Sequence, residues 1–187
     1  MEKKEKKHIV LLVLGSVLAI IVVPIYVFFG IPLLLLVFEG DNTGSVDNIP
    51  KYLNDKIGIA IKDCKVVKNE EKRAGNGDGD IVIILDCENN SLNFRNNDWK
   101  KLSLTKNIEL RIYGGEKDGI RYEGSISEDY DIPVISNGYY YFVDKQNKKS
   151  EKHNDKYLLD DERYSYNYYI AIYDLDTDKL YYIEEDT

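Results

Sequence analysis

The pattern of hydrophobic and polar positions divides the chain into two unequal parts. Residues 9–38 are thirty consecutive positions without a charge, and nothing after them is comparably apolar. Eighteen or more such residues are enough for a bilayer-spanning helix. The remainder alternates apolar and polar positions in short stretches, as a folded domain does. The pattern therefore predicts one membrane helix followed by one globular domain.

The details of the long run favour a permanent anchor. A secretory signal has an apolar core of about 7 to 15 residues closing at a small-residue cleavage site. Here the only match of that kind, Val17 with Ala19, is followed by more apolar residues, and no cysteine near the end of the run offers a lipid acceptor. A two-span hairpin turning at Pro24 would leave roughly 14 residues on each side, short of the roughly 20 a crossing helix needs. One helix of this length would reach roughly 45 Å. Pro24 kinks it and Gly30 with Pro32 breaks it, so the core span is expected over residues 9–29, with 33–38 extending the helix or lying at the interface. The basic head, residues 1–8, carries four lysines and stays cytoplasmic, while Glu39 and Asp41 lead the exported side. A single-pass cell-membrane protein with its N-terminus inside and its C-terminal domain outside is expected.

Residues 39–48 read as a polar linker and 49–187 as the exported domain. A short helix is expected over residues 50–54, with Pro50 in its first turn and Asn48 as cap. Ile57, Ile59 and Ile61 alternate and Val66 and Val67 follow, which predicts a strand. Residues 81–85, IVIIL, suit a strand covered on both faces. The charged, glycine-rich residues 68–80 between them read as a long hairpin loop. Leu92, Arg95, Trp99 and Leu102 share one face of a helix over 91–102, capped by Ser91. Ile108, Leu110 and Ile112 alternate as a strand, although a helical turn fits as well, and residues 116–132 read as loop. Strands are expected over 139–143, 166–173 and 180–183, with a solvated loop at 145–156 and a turn at 174–179. The fold class is α+β: an N-terminal transmembrane helix, then a mainly antiparallel sheet with one or two short helices.

Charge narrows the partners. Outside the first seven residues the chain has 21 basic and 31 acidic side chains, a net charge of about -10. That balance repels phosphate backbones and anionic lipid headgroups, so nucleic acid is excluded as a partner. The sixteen tyrosines belong with an abundance of Asn, Asp, Lys and Ile that follows A- and T-rich codon usage. Tyrosine also suits a pleated, half-wet surface.

Cys64 and Cys87 are the two cysteines, placed symmetrically about the centre of the first hairpin. Antiparallel pairing with the turn centred between Gly75 and Asn76 sets Cys64 opposite Cys87 and Val66 opposite Leu85. Export would permit a disulfide there, and two free thiols acting as small hydrophobes fit equally well.

Four residues have part of the spacing of a calcium loop: Asp174, Asp176, Asp178 and Glu185. Lys179 stands where such a loop needs glycine, and an Asp-rich hairpin turn is the simpler account. Asn76, Asp78 and Asp80 make a weaker set. No cofactor motif is present, since the glycines at 75–79 lack the lysine and helix of a phosphate loop. No catalytic set stands out: the histidines are His8, at the membrane edge, and His153, in a lysine-rich loop. Carboxylate pairs are abundant, and solvated faces explain them.

The segments GDGD at 77–80, WKKLSL at 99–104, NGYYYF at 137–142 and AIYDLDTDKLYY at 171–182, with the terminal EEDT, resemble an uncharacterised family. Its members are single-pass membrane or secreted proteins of low-GC Gram-positive bacteria. This chain departs from the pattern at Ser103, where proline is commoner. The resemblance implies an exported location and assigns no site residue. NGYYYF and DKLYY are also similar to cell-wall-binding aromatic hairpins, but no third copy lies in register.

Anchor, acidity and the missing catalytic set together lead to a non-enzymatic cell-surface binding module. Its partners would be the bilayer, through residues 9–38, and an envelope protein or wall polymer. The competing readings are a carboxylate-based envelope hydrolase, marked by two carboxylates of raised pKa in one cleft, and a self-protection protein of the immunity type.

Overall fold

The computed structural model describes residues 42–74, 77–87, 92, 94, 98–160 and 163–187. The anchor expected over residues 9–38 and the basic head lie outside the described residues, and among the described ones no helix is long and apolar enough to cross a membrane.

The region is α+β, and an antiparallel sheet carries it. Six strands lie in the order β2 (Lys65–Arg73), β3 (Gly79–Asp86), β9 (Lys179–Asp186), β8 (Asn167–Asp174), β7 (Gly138–Asp144) and β4 (Lys100–Lys101), and a short edge strand, β1 (Asn42–Gly44), adds to β2. All of these pairs are antiparallel. A separate small hairpin joins β5 (Gly115–Lys117) to β6 (Ile120–Tyr122).

Both faces of the sheet are covered. The run Ile81 to Leu85 in β3 is buried residue after residue, which only a central strand between two layers allows. One face holds Ile81, Ile83, Leu85, Tyr182, Ala171 and Tyr141 under helix α1 (Ile49–Ile57) and the segment after it. The other holds Val82, Ile84, Ile183, Ile170, Ile172 and Phe142 under α2 (Lys106–Tyr113) and α3 (Ser125–Tyr130). Helix α1 presents Ile49, Leu53 and Ile57 at a spacing of four, and each buried side chain contributes about 1.5 to 3 kcal/mol.

Several expected elements change type. The short helix at 50–54 runs on to Ile57, where Gly58 in the left-handed region (φ 66°) stops it by returning its N–H to the Asn54 carbonyl. Ile57 thus closes a helical seam; Ile59 and Ile61 are buried in irregular chain, and the strand begins only at Lys65. The supposed loop at 68–80 is mostly strand, because charged residues tolerate an edge where one row of side chains stays wet.

The helix expected over 91–102 is absent at its described end. Trp99 lies in irregular chain, and Lys100 and Lys101 pair with Tyr140 and Tyr139 instead. Ile108, Leu110 and Ile112 belong to a helix and not a strand: the Thr105 hydroxyl caps it by accepting the Ile108 N–H. Residues 116–132 contain most of β5, β6 and α3, so the described residues hold three short helices where one or two were expected. Half of the expected linker is docked on the domain as well, since β1 pairs with β2 and Val46 exchanges two hydrogen bonds with the Asn69 side chain.

The sheet edges are protected. Beyond β4, strand β7 is covered where the Asp144 backbone N–H donates to the Lys152 carbonyl and His153 Nδ1 sits 2.7 Å from the Phe142 carbonyl. On the opposite edge, the uncovered half of β2 carries Lys65, Lys68 and a bulge between Val66 and Lys68, features that discourage pairing with another chain.

Cys64 and Cys87 are joined as a disulfide with Cα atoms 4.4 Å apart, tying the entry of β2 to the exit of β3. Val66 faces Leu85 just inside it. The bridge closes a loop with a sequence separation of 23, so the unfolded chain loses about 3 kcal/mol worth of freedom. Replacing both cysteines by serine is expected to lower unfolding stability by about that amount in urea titrations of the full chain; an unchanged midpoint would refute it.

Candidate functional site

Two adjacent carboxylates on the central strand β9 point to opposite faces, because strand side chains alternate. Glu184 faces α1 and is 3% exposed. It accepts hydrogen bonds from Lys56 Nζ at 2.8 Å, Lys145 Nζ at 2.9 Å, and the hydroxyls of Tyr52 and Tyr182 at 2.5 Å each. Burial alone would raise its pKa, but the donors from Lys56, Tyr182, Tyr52 and Lys145 outweigh it and bring the carboxyl down to about 2. The same carboxylate pushes the Tyr52 and Tyr182 hydroxyls up, after burial, which is the larger cause.

Glu185 faces α2 and takes two bonds from the Arg111 guanidinium, through Nε at 3.0 Å and through Nη2. Arg111 also lies over the Tyr166 ring at 4.1 Å. Glu185 is the middle of a polar row of cross-strand partners, Lys72, Asp80, Glu185, Tyr168 and Asp144, that runs over five strands on this face. At its far end the fully buried Asp144 is held by Arg163 at 2.6 and 3.0 Å. Asp80 is pushed up by burial and by Glu185, with Arg111, Tyr130 and Lys72 pulling it partly back. An acid–base hydrolase would call for two raised carboxylates in one cleft. Here Asp80 is raised while its neighbour Glu185 is tied to an arginine.

Three of the calcium candidates share one turn, and the fourth lies apart from them. In the β8–β9 turn, Asp174 accepts from the Asp176 backbone N–H and the Thr177 hydroxyl, Asp176 accepts from the Asn137 side chain, and Asp178 accepts from the Tyr173 hydroxyl. Each carboxylate thus serves turn geometry. Glu185 lies at the other end of β9, on Arg111. In the weaker set, Asn76 is outside the described residues and Asp80 belongs to the polar row. Among the described residues no group of three or more His, Cys, Asp or Glu is placed to hold a metal.

Two clefts adjoin at the end of α2. The larger, about 660 Å³, is bordered by Glu116, Arg121, Glu123, Glu128 and Asp129. The smaller, about 390 Å³, is bordered by Leu102, Leu104, Lys106, Glu109, Val134 and Ile135. Both share Tyr113 and Gly114. Gly114 ends the helix at φ 73°, and a Cβ there would stand 2.5 Å from the Gly124 nitrogen; a Cβ on Gly124 would stand 2.4 Å from the Tyr113 carbonyl. Backbone packs on backbone at this point, so the β5–β6 hairpin is drawn against the helix end and its carboxylates share one hollow with those of α3. The Tyr113 hydroxyl is enclosed without a partner of good hydrogen-bond geometry, and burial, its first cause, raises its pKa.

No family model, curated protein or solved structure matches the chain. Sequence reasoning missed Glu184 and its four donors, although Glu184 and Glu185 directly after the apolar run LYYI were a signal that both layers need a buried cation. It missed the clefts because residues 116–132 offer no periodicity.

The Glu184 pKa sets a pH window. A carboxyl whose folded pKa lies below its ordinary 4.5 contributes stability above that value and loses it as pH falls toward about 2. Glu184→Gln is expected to cost roughly 2 to 3 kcal/mol near pH 7, and the gap from the unsubstituted protein is expected to close between about pH 4.5 and 2. Denaturant unfolding of both proteins across that range checks it; a gap that does not vary with pH would refute the assignment.

Proposed function

We propose that this protein is a membrane-tethered binding module whose domain stands on the outer face of the cell membrane and engages an envelope partner. The disulfide between Cys64 and Cys87 carries the exported placement, because such bonds persist in oxidising compartments and are rare in the cytosol. The uncharged run at residues 9–38 and the lysines before it supply tether and direction. Binding rather than turnover is supported by what the buried charges do: Glu184, Glu185 and Asp144 are each tied to basic side chains that hold the fold. The paired clefts at Tyr113 and Gly114 are the surface where a partner has both shape and charge to meet.

Impermeant amine-reactive biotin applied to intact cells is expected to label the domain, while an epitope tag before residue 1 becomes accessible only after permeabilisation. Labelling that requires lysis would overturn the placement. A photo-crosslinking residue at position 123 is expected to trap an envelope partner that the same residue at position 151, in the charged loop, does not trap.

A further inference from the structure

We propose that the joined clefts at the end of α2 bind a cationic, amphipathic polypeptide segment. The proposal rests on the binding-module reading and names the partner class for that surface.

The larger cleft sets four carboxylates, Glu116, Glu123, Glu128 and Asp129, against one guanidinium, Arg121. None of the four forms an ion pair with a described residue. This differs from the three buried carboxylates Glu184, Glu185 and Asp144, each of which holds a lysine or arginine. Like charges gathered in a hollow focus the field there and are relieved when a cation enters. The smaller cleft is different in kind. Leu102, Leu104 and Ile135 form its wall, and Val134 stands at its lip with 79% of its surface exposed, more than any other valine, leucine or isoleucine described. Its own charges, Lys106 and Glu109, face each other at 3.9 Å. Because Tyr113 and Gly114 belong to both hollows, one ligand reaches the acidic and the apolar part together.

That combination selects among partners. A polyanion such as nucleic acid or a phosphate-rich wall polymer is repelled by the acidic hollow and by the net charge of about -10 beyond the first seven residues. A small polyamine satisfies the carboxylates but leaves Leu102, Leu104 and Val134 uncovered. A polypeptide segment with lysine or arginine beside leucine-like side chains matches both.

The experiment uses the full chain in zwitterionic lipid nanodiscs and three fluorescent 14-residue probes: one of lysine and leucine, one of lysine and serine, and one of glutamate and leucine. Spermine is the competitor, and empty nanodiscs are subtracted. Fluorescence anisotropy is expected to show the lysine–leucine probe binding at least about tenfold more tightly than either other probe, with spermine competing only partially. Glu123→Lys with Glu128→Lys, and separately Val134→Asp, are each expected to weaken that probe about tenfold. Glu151→Lys, a single charge reversal at a residue that lines neither cleft, is expected to leave it unchanged. All substituted positions are exposed, and melting curves confirm folding. Equal binding of the lysine–serine and lysine–leucine probes, or a Val134→Asp variant that binds like the parent, would reduce the site to an acidic trap and overturn the proposal. Equal binding of the glutamate–leucine probe would overturn it too. If all probes fail while the position-123 crosslinker still traps a partner in cells, the ligand class falls and the binding-module reading stands.

Discussion

Glu184 and Glu185 constrain the rest of the domain. They occupy successive positions on the central strand of the sheet, one on each face, and each is nearly sealed from water. A carboxylate in that position costs several kcal/mol unless cations and hydroxyls surround it. Helix α1 therefore has to bring Lys56 and Tyr52 to one face, and α2 has to bring Arg111 to the other. The hydrophobic rows fix how close the layers lie, whereas the two carboxylates fix where along the sheet each helix sits. A helix slid by one turn would strand a buried charge, so the polar contacts specify position more than they add stability.

The aromatic content follows from the same geometry. Tyr182, Tyr52 and Tyr169 surround Glu184, with Tyr52 edge-on to Tyr182 at 5.8 Å and Tyr169 donating to the Lys56 carbonyl. Tyrosine fills the volume between sheet and helix and still delivers a hydroxyl at its far end. Phenylalanine would fill the same space and leave the carboxylate and the helix-end carbonyl with fewer donors. Codon bias supplies many tyrosines; burial beside a charge gives several of them a defined task.

Legibility in the sequence tracked how local the deciding force was. The runs at 81–85, 139–143 and 166–173 could be read directly, because unbroken apolar stretches and turn residues at their ends are local signals. Val66 opposite Leu85 followed from symmetry about the hairpin centre. Residues 57–61 were misread as a strand, and 108–112 read as a strand with a helical turn as the alternative, because short apolar alternation satisfies periods of two and of four alike. What decided them was one capping hydroxyl, Thr105, and one left-handed glycine, Gly58. Residues 68–73 were hidden because an edge strand needs only one dry row. The clefts were illegible for another reason: they depend on Gly114 and Gly124 meeting across ten residues, and no pattern along the chain announces such a contact.

The division of charges into two kinds is what makes the surface near Tyr113 stand apart. Inside the domain, Glu184, Glu185 and Asp144 are neutralised by lysine or arginine, and they can be exchanged only at the expense of the fold. At the β5–β6 hairpin and α3 the carboxylates are exposed and share one arginine, so nothing in the packing requires them to be acidic. A chain with this excess of acid gains solubility from dispersed charge, not from gathering four carboxylates beside an open apolar wall. Gathering them concentrates attraction for a cation beside Val134, whose side chain is 79% exposed, and beside the half-buried Leu102 and Leu104, so a ligand that brings positive charge and apolar surface together gains from both at once.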